Sequence, residues 1–116
     1  MARELGLASG QGQAVAKITC PTAEVANDLA AALVERRLAA CVNVVPGITS
    51  VYHWKGEVCR DSEVLLLAKT RSELASQVLE VVAQLHPYDV PEVLWLRVEQ
   101  GSASYLDWLD QALLGD

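Results

Sequence analysis

Two stretches without helical period stand side by side in the middle of the chain, and they limit its architecture more than any other feature. The first, "CVNVVPGITSVYHWKGEV" from Cys41 to Val58, is rich in β-branched and aromatic residues. The second, "SEVLLLAKT" from Ser62 to Thr70, alternates: Val64, Leu66 and Ala68 fall on one side, Glu63, Leu65, Leu67 and Lys69 on the other. The chain must reverse between Lys55 and Ser62, with "KG" and "RDS" both suited to the turn. Pro46–Gly47 interrupts the first arm and predicts a bend or bulge. An arm of about 12 residues spans roughly 40 Å, whereas a helix of about 15 residues spans roughly 22 Å. Such a hairpin overhangs the helices that cover it.

The flanking segments supply those helices. "AVAKITC" (Ala14–Cys20) alternates as a half-buried strand, with Ala16, Ile18 and Cys20 on one face and Lys17 and Thr19 on the other. "PTAEVANDLAAALVERR" follows, with Thr22 as N-cap and Val25, Leu29, Ala32 and Leu33 as an apolar stripe. Arg36 and Arg37 sit at its C-terminal end, where the helix dipole favours cations. Thr70 and Glu73 have capping-box spacing for a second helix, "SELASQVLEVVAQLH". "EVLWLRVE" reads as a fourth strand and "SASYLDWLDQALL" as a last helix with Leu106, Leu109 and Leu113 on one face. The order β-α-β-β-α-β plus a terminal helix predicts an α+β fold, a ferredoxin-like sandwich. Residues 1–13, with clustered Gly, Ser and Gln, read as a flexible tail, and 14–116 as one domain.

In such a sandwich the helices cover one sheet face only. Here both faces of the strands carry large apolar groups, and Leu65, Leu67 and Trp95 are placed on the uncovered side. A patch of that kind marks an interface, so the chain is expected to form an obligate oligomer. Composition narrows the partners. A net charge of −6 argues against nucleic acid or an anionic membrane, no apolar run is long enough to insert into a bilayer, and the N-terminus has no secretory signal core. Three cysteines, Cys20, Cys41 and Cys59, form no CxxC and fit reduced thiols in the cytoplasm.

The segments "RLAACVNVVPGITSVYHWKGEV", "DSEVLLLAKT", "HPYDVPE" and "YLDW" together resemble the CutA family, the divalent-cation tolerance proteins, over roughly Val15 to Leu113. The resemblance implies a homotrimer of ferredoxin-like subunits, similar in architecture to the PII signalling proteins. It implies a role in divalent-metal homeostasis, with copper or another divalent metal as the bound ion. Bacterial members are linked to copper tolerance, and animal members to acetylcholinesterase anchoring, which leaves an adaptor role as an alternative.

The resemblance makes Cys20 and His86 the metal ligands. Imidazole and thiolate suit copper or zinc, but two ligands fall short of the three or four of a closed site. Some bacterial relatives carry a second histidine where this chain has Leu85. The other reading has Cys20 as a core residue and His86 as the end of a helix. In "LHPYDVPE" (Leu85–Glu92) the prolines stop the helix and stiffen the turn. Tyr52, Trp54, Glu63, Lys69, Tyr88, Tyr105 and Trp108 are expected to line a pocket between subunits, where Lys69 would attract a small anionic ligand. The competing reading makes these residues interface anchors. No P-loop, nucleophile elbow, HExxH or dinucleotide fingerprint is present, so neither an enzyme nor an organic cofactor is expected.

Overall fold

A computed structural model describes residues 3–114; Met1, Ala2, Gly115 and Asp116, the outermost parts of the expected tail and domain, lie outside the described residues. The elements run β1 (Leu7–Ser9), β2 (Gln13–Cys20), α1 (Ala23–Glu35), β3 (Cys41–Trp54), β4 (Glu57–Arg71), α2 (Ala75–Leu85), β5 (Val93–Arg97), β6 (Gln100–Ser102) and α3 (Ala103–Leu114). The main sheet has the order β3-β4-β2-β5, all neighbours antiparallel. This is the expected ferredoxin-like arrangement, completed by the terminal helix. No helix among the described residues is long and apolar enough to cross a membrane.

The hairpin is the dominant element. Its arms of 14 and 15 residues give the chain a longest dimension of 53 Å. It reverses at Lys55–Gly56, both with positive φ (50° and 81°) and with Trp54 paired to Glu57. Positive φ at both central residues defines a type I′ turn, whose twist matches that of the flanking strands. Pro46 and Gly47 form the expected bulge: the register passes from Val45↔Leu65 directly to Ile48↔Glu63. Pro46 has no N–H to give to the ladder, and Gly47 takes the left-handed φ of 79°.

The core lies between one sheet face and two helices. Ala16, Ile18, Cys20, Leu66 and Ala68 from the sheet meet Ala26, Leu29, Leu33, Val78 and Val82 from α1 and α2, all of them buried. Thr22 caps α1, its hydroxyl accepting from the Val25 N–H at 3.2 Å. The second capping site does not form. Thr70 is buried in β4, where its hydroxyl donates to the Leu38 carbonyl at 2.6 Å, and a 3-10 turn at Ser72–Leu74 leads into α2 with no side-chain cap.

Two expectations change. Trp95 is not on the open face: it pairs with Ala16 and packs, half-buried, against the core. Its indole N–H finds no acceptor among the described residues. The open face instead carries Leu94 and Leu96 beside Lys17 and Val15, which in turn neighbour Leu67 and Lys69. Leu94 and Leu96 are about half exposed (52% and 48%), so the apolar open face is real even though one of its members was misplaced. The second change concerns the segment read as a tail. Leu7–Ser9 is a strand paired antiparallel with β6, and the Gly10 N–H donates to the Glu99 carbonyl at 2.7 Å. Three residues between glycines carry too short a pattern to announce a strand whose partner lies near the other end of the chain.

Candidate ligand cleft

The α2–β5 connector is fixed by His86. As the C-cap of α2 it has extended backbone (φ −86°, ψ 132°), as a residue before proline must, and its N–H still closes the helix on the Val82 carbonyl. His86 is 6% exposed. Nε2 lies 2.8 Å from the Thr19 carbonyl oxygen, which can only accept, so the proton resides on Nε2. Nδ1 then accepts the Tyr88 N–H at 3.2 Å. The imidazole thus ties the turn to β2 with both nitrogens in use. His86→Ala leaves the Thr19 carbonyl and the Tyr88 N–H without these partners; a loss of about 1–3 kcal/mol is expected in denaturant titration.

Cys20 is fully buried on the core face of β2, in phase with Ile18. Burial pushes its thiol up to about 11, and the charge of Glu63 adds to the shift. At pH 8 only about one molecule in a thousand would then carry the thiolate that reacts or ligates. Ellman titration of the native protein at pH 8 should therefore count at most two thiols per chain, and three after denaturation. A third fast thiol in the native state would contradict the burial of Cys20. All three cysteines are free.

A cleft of about 850 Å³ opens between the outer half of the hairpin and the connector. It gathers Tyr52, Trp54, Glu63 and Tyr88 from the expected pocket. Strand phase explains the first three: Tyr52, Trp54 and Glu63 share the open side of the hairpin once the bulge has reset β3 against β4. The Tyr52 hydroxyl donates to the Asp61 carboxylate, which pushes its own ionisation up to about 12. Tyr88 leans on His86, with ring centroids 4.9 Å apart. Thr19, Asp61, Asp89 and Glu92 also line it and were not among the pocket residues expected from sequence. Asp61 and Thr19 were within reach, because each falls on this side by simple alternation.

Lys69, Tyr105 and Trp108 are not part of this cleft within one chain. Lys69 is six residues from Glu63 on the same face of β4, roughly 20 Å along the strand. Its ammonium donates to Asn43 and lies 3.8 Å from the Cys41 sulfur. Tyr105 and Trp108 stack on α3 at 5.5 Å, and burial, then the nearby Cys41, raises the Tyr105 hydroxyl. One chain therefore carries two separate groups of candidate residues, one at each end of β4. Among the described residues no three His, Cys, Asp or Glu side chains converge as a metal cage would require. The Cys20–His86 pair gains no third ligand among the described residues.

Comparison with known proteins agrees with the fold. The sequence profile of the CutA1 divalent ion tolerance protein family matches residues 14–112. The divalent-cation tolerance protein CutA of Thermus thermophilus is 55% identical over 95 residues, 82% of this chain and 92% of that protein. Mouse protein CutA is 50% identical over 109 residues, covering 90% of this chain but only 62% of the mouse protein. The crystal structure of CutA1 from Oryza sativa superposes with a TM-score of 0.85 at 43% identity, over 90% of this chain and 96% of that one. With a family match over most of its length, and with the strand order and hairpin described above, this chain belongs to the CutA1 divalent ion tolerance family.

Proposed function

We propose that the chain serves divalent-cation tolerance as a binding protein, not an enzyme, and works as a homotrimer in the cytoplasm. The observation that carries the assembly is the open sheet face, where Val15, Leu65, Leu67, Leu94 and Leu96 come from three adjacent strands on the side away from α1 and α2, with α3 joined to that side at its Gln13 and Arg71 end through Asp110. An apolar face of this size is covered in a stable protein. A ring of three uses heterologous contacts, in which one end of a subunit meets the other end of the next. Such contacts would bring the Lys69, Tyr105 and Trp108 group of one subunit towards the Tyr52, Trp54, Glu63 and Tyr88 cleft of its neighbour. The cytoplasmic reading is supported by three unpaired cysteines.

Copper held by Cys20 and His86 is a second reading. It is favoured by their shared neighbour: the His86 ring is bound to Thr19, the residue before Cys20. Ligation there must remove the Cys20 proton and break a hydrogen bond of His86, so it is expected to be weak and to strengthen with pH. Native mass spectrometry at micromolar protein tests the trimer, and a monomer would refute it. Copper titration of wild type and His86→Ala tests the metal. Equal affinity in the two removes His86 from the ligands.

A further inference from the structure

We infer that α3 is a separately docked arm of the subunit, held by a polar latch centred on Arg71, and that, in the trimer proposed above on which this rests, the latch controls assembly by fixing where Tyr105 and Trp108 meet the next copy. α3 has little apolar footing. Its buried side chains Leu106 and Leu109 do not belong to the core that joins the sheet to α1 and α2. Tyr105 and Trp108 leave 42% and 49% of their surface exposed. Tyr105 lies near Cys41, at the Lys69 end of the open sheet face. A helix of 12 residues with so few buried contacts is marginal by itself and needs other ties to keep its place.

Those ties converge on two side chains. Gln13 and Arg71 are paired in register across β2 and β4, and both reach Asp110 of α3. Gln13 is 2% exposed, and its amide nitrogen donates to the two carboxylate oxygens at 3.2 and 3.1 Å. A carboxylate can only accept, so the amide oxygen points the other way, where it accepts the Gln11 N–H at 2.7 Å. Arg71 divides its donors three ways: Nη1 to Asp110, Nη2 to the Gln11 carbonyl at 2.6 Å and Nε to Glu73 at 3.1 Å. Burial disfavours its charge, but the bonds to Asp110 and Glu73 outweigh burial and raise its pKa. One guanidinium thus joins β4, α3 and the segment leading out of β1. β1 completes the fastening from the other side. It pairs Ala8 with Gly101 of β6, and that backbone is the floor under Leu106: a Cβ on Gly101 would lie 3.4 Å from the leucine side chain. The Gly6 carbonyl accepts the Ala103 N–H at the start of α3, at 3.0 Å. In a network of this kind the loss of one member leaves the others underpaired, so α3 should come away as a unit while the main sheet stays folded.

The test compares the full chain with its Arg71→Met, Asp110→Asn and double variants by hydrogen exchange and by sedimentation over a range of concentrations. In Arg71→Met the amides of α3 are expected to lose most of their protection while those of β2 and β4 keep theirs. Asp110→Asn should act in the same direction, and adding it to Arg71→Met should change little, because both work through one contact. Assembly should weaken together with α3 protection. Every subunit must dock its arm, so with half of the arms free a trimer forms about eightfold less readily. Unchanged α3 exchange in Arg71→Met overturns the inference. Equal loss of protection in β4 also overturns it, because Arg71 would then be a stabiliser of the whole subunit. A trimer of unchanged affinity with α3 exchanging freely overturns the control of assembly. These results leave the trimer itself standing, whereas a monomeric wild type refutes the trimer and with it the role of the latch.

Discussion

Leu65→Glu is expected to yield a folded chain that no longer assembles. Leu65 lies on the open face between Thr19 of β2 and Val45 of β3, and it is only half-buried in the isolated subunit. A glutamate there reaches water in a monomer and costs little. Under a second copy it would be an unpaired buried charge, worth about 3–5 kcal/mol for each one buried. Leu67 is a poorer place for the test, because Lys17 stands directly opposite and could neutralise a new carboxylate. Sedimentation should show Leu65→Glu sedimenting as a monomer at concentrations where wild type is oligomeric, with unchanged far-ultraviolet circular dichroism. An intact oligomer would mean that this face is not the interface.

Gly10→Ala should release β1. A Cβ at this position would sit 1.8 Å from the Val98 carbonyl oxygen and 2.9 Å from its carbon. Both are backbone atoms, so no side-chain rotation relieves the contact. Forced overpacking of this kind costs about 1–3 kcal/mol, and the chain can escape it by giving up the Gly10–Glu99 hydrogen bond and the β1–β6 ladder. Fast hydrogen exchange at residues 7–10, with the β2–β4 amides still protected, is the expected result. Retained protection of residues 7–10 would show that β6 and the Val98 peptide move instead. The main sheet has its own core and should keep its cooperative transition.

What was legible in the sequence follows from the range of each signal. The two-residue alternation of β4 gave its buried side correctly, because Val64, Leu66, Ala68 and Thr70 are all buried and their neighbours are not. The same rule misplaced Trp95. Both sides of β5 are apolar, and only its pairing with Ala16, distant in sequence, decides which side meets the helices. Alternation also reports a face but not a separation. Glu63 and Lys69 were rightly put on one face, yet strand length keeps them in different clusters. The connector carried its structural role openly in its prolines. The use of both His86 nitrogens was not legible, since it depends on the Thr19 carbonyl, 67 residues away.

The bulge at Pro46–Gly47 makes the hairpin more tolerant of a change in length than of a change in letters. Two residues of β3 stand there against Val64 alone, so the arm carries one residue more than its partner. Deleting Gly47 would give a regular ladder in which Ile48 still meets Glu63, and Tyr52 and Trp54 would keep their side of the sheet. Writing Val-Thr for Pro46–Gly47 keeps the length but invites the ladder to run straight through. Every residue from Ile48 to Trp54 would then turn over, exchanging Tyr52 and Trp54 for Val51 and His53 on the cleft side. In a lineage of such chains, a lost residue at this point would be the milder accident, and a loss of both the proline and the glycine at full length the one that erases the cleft.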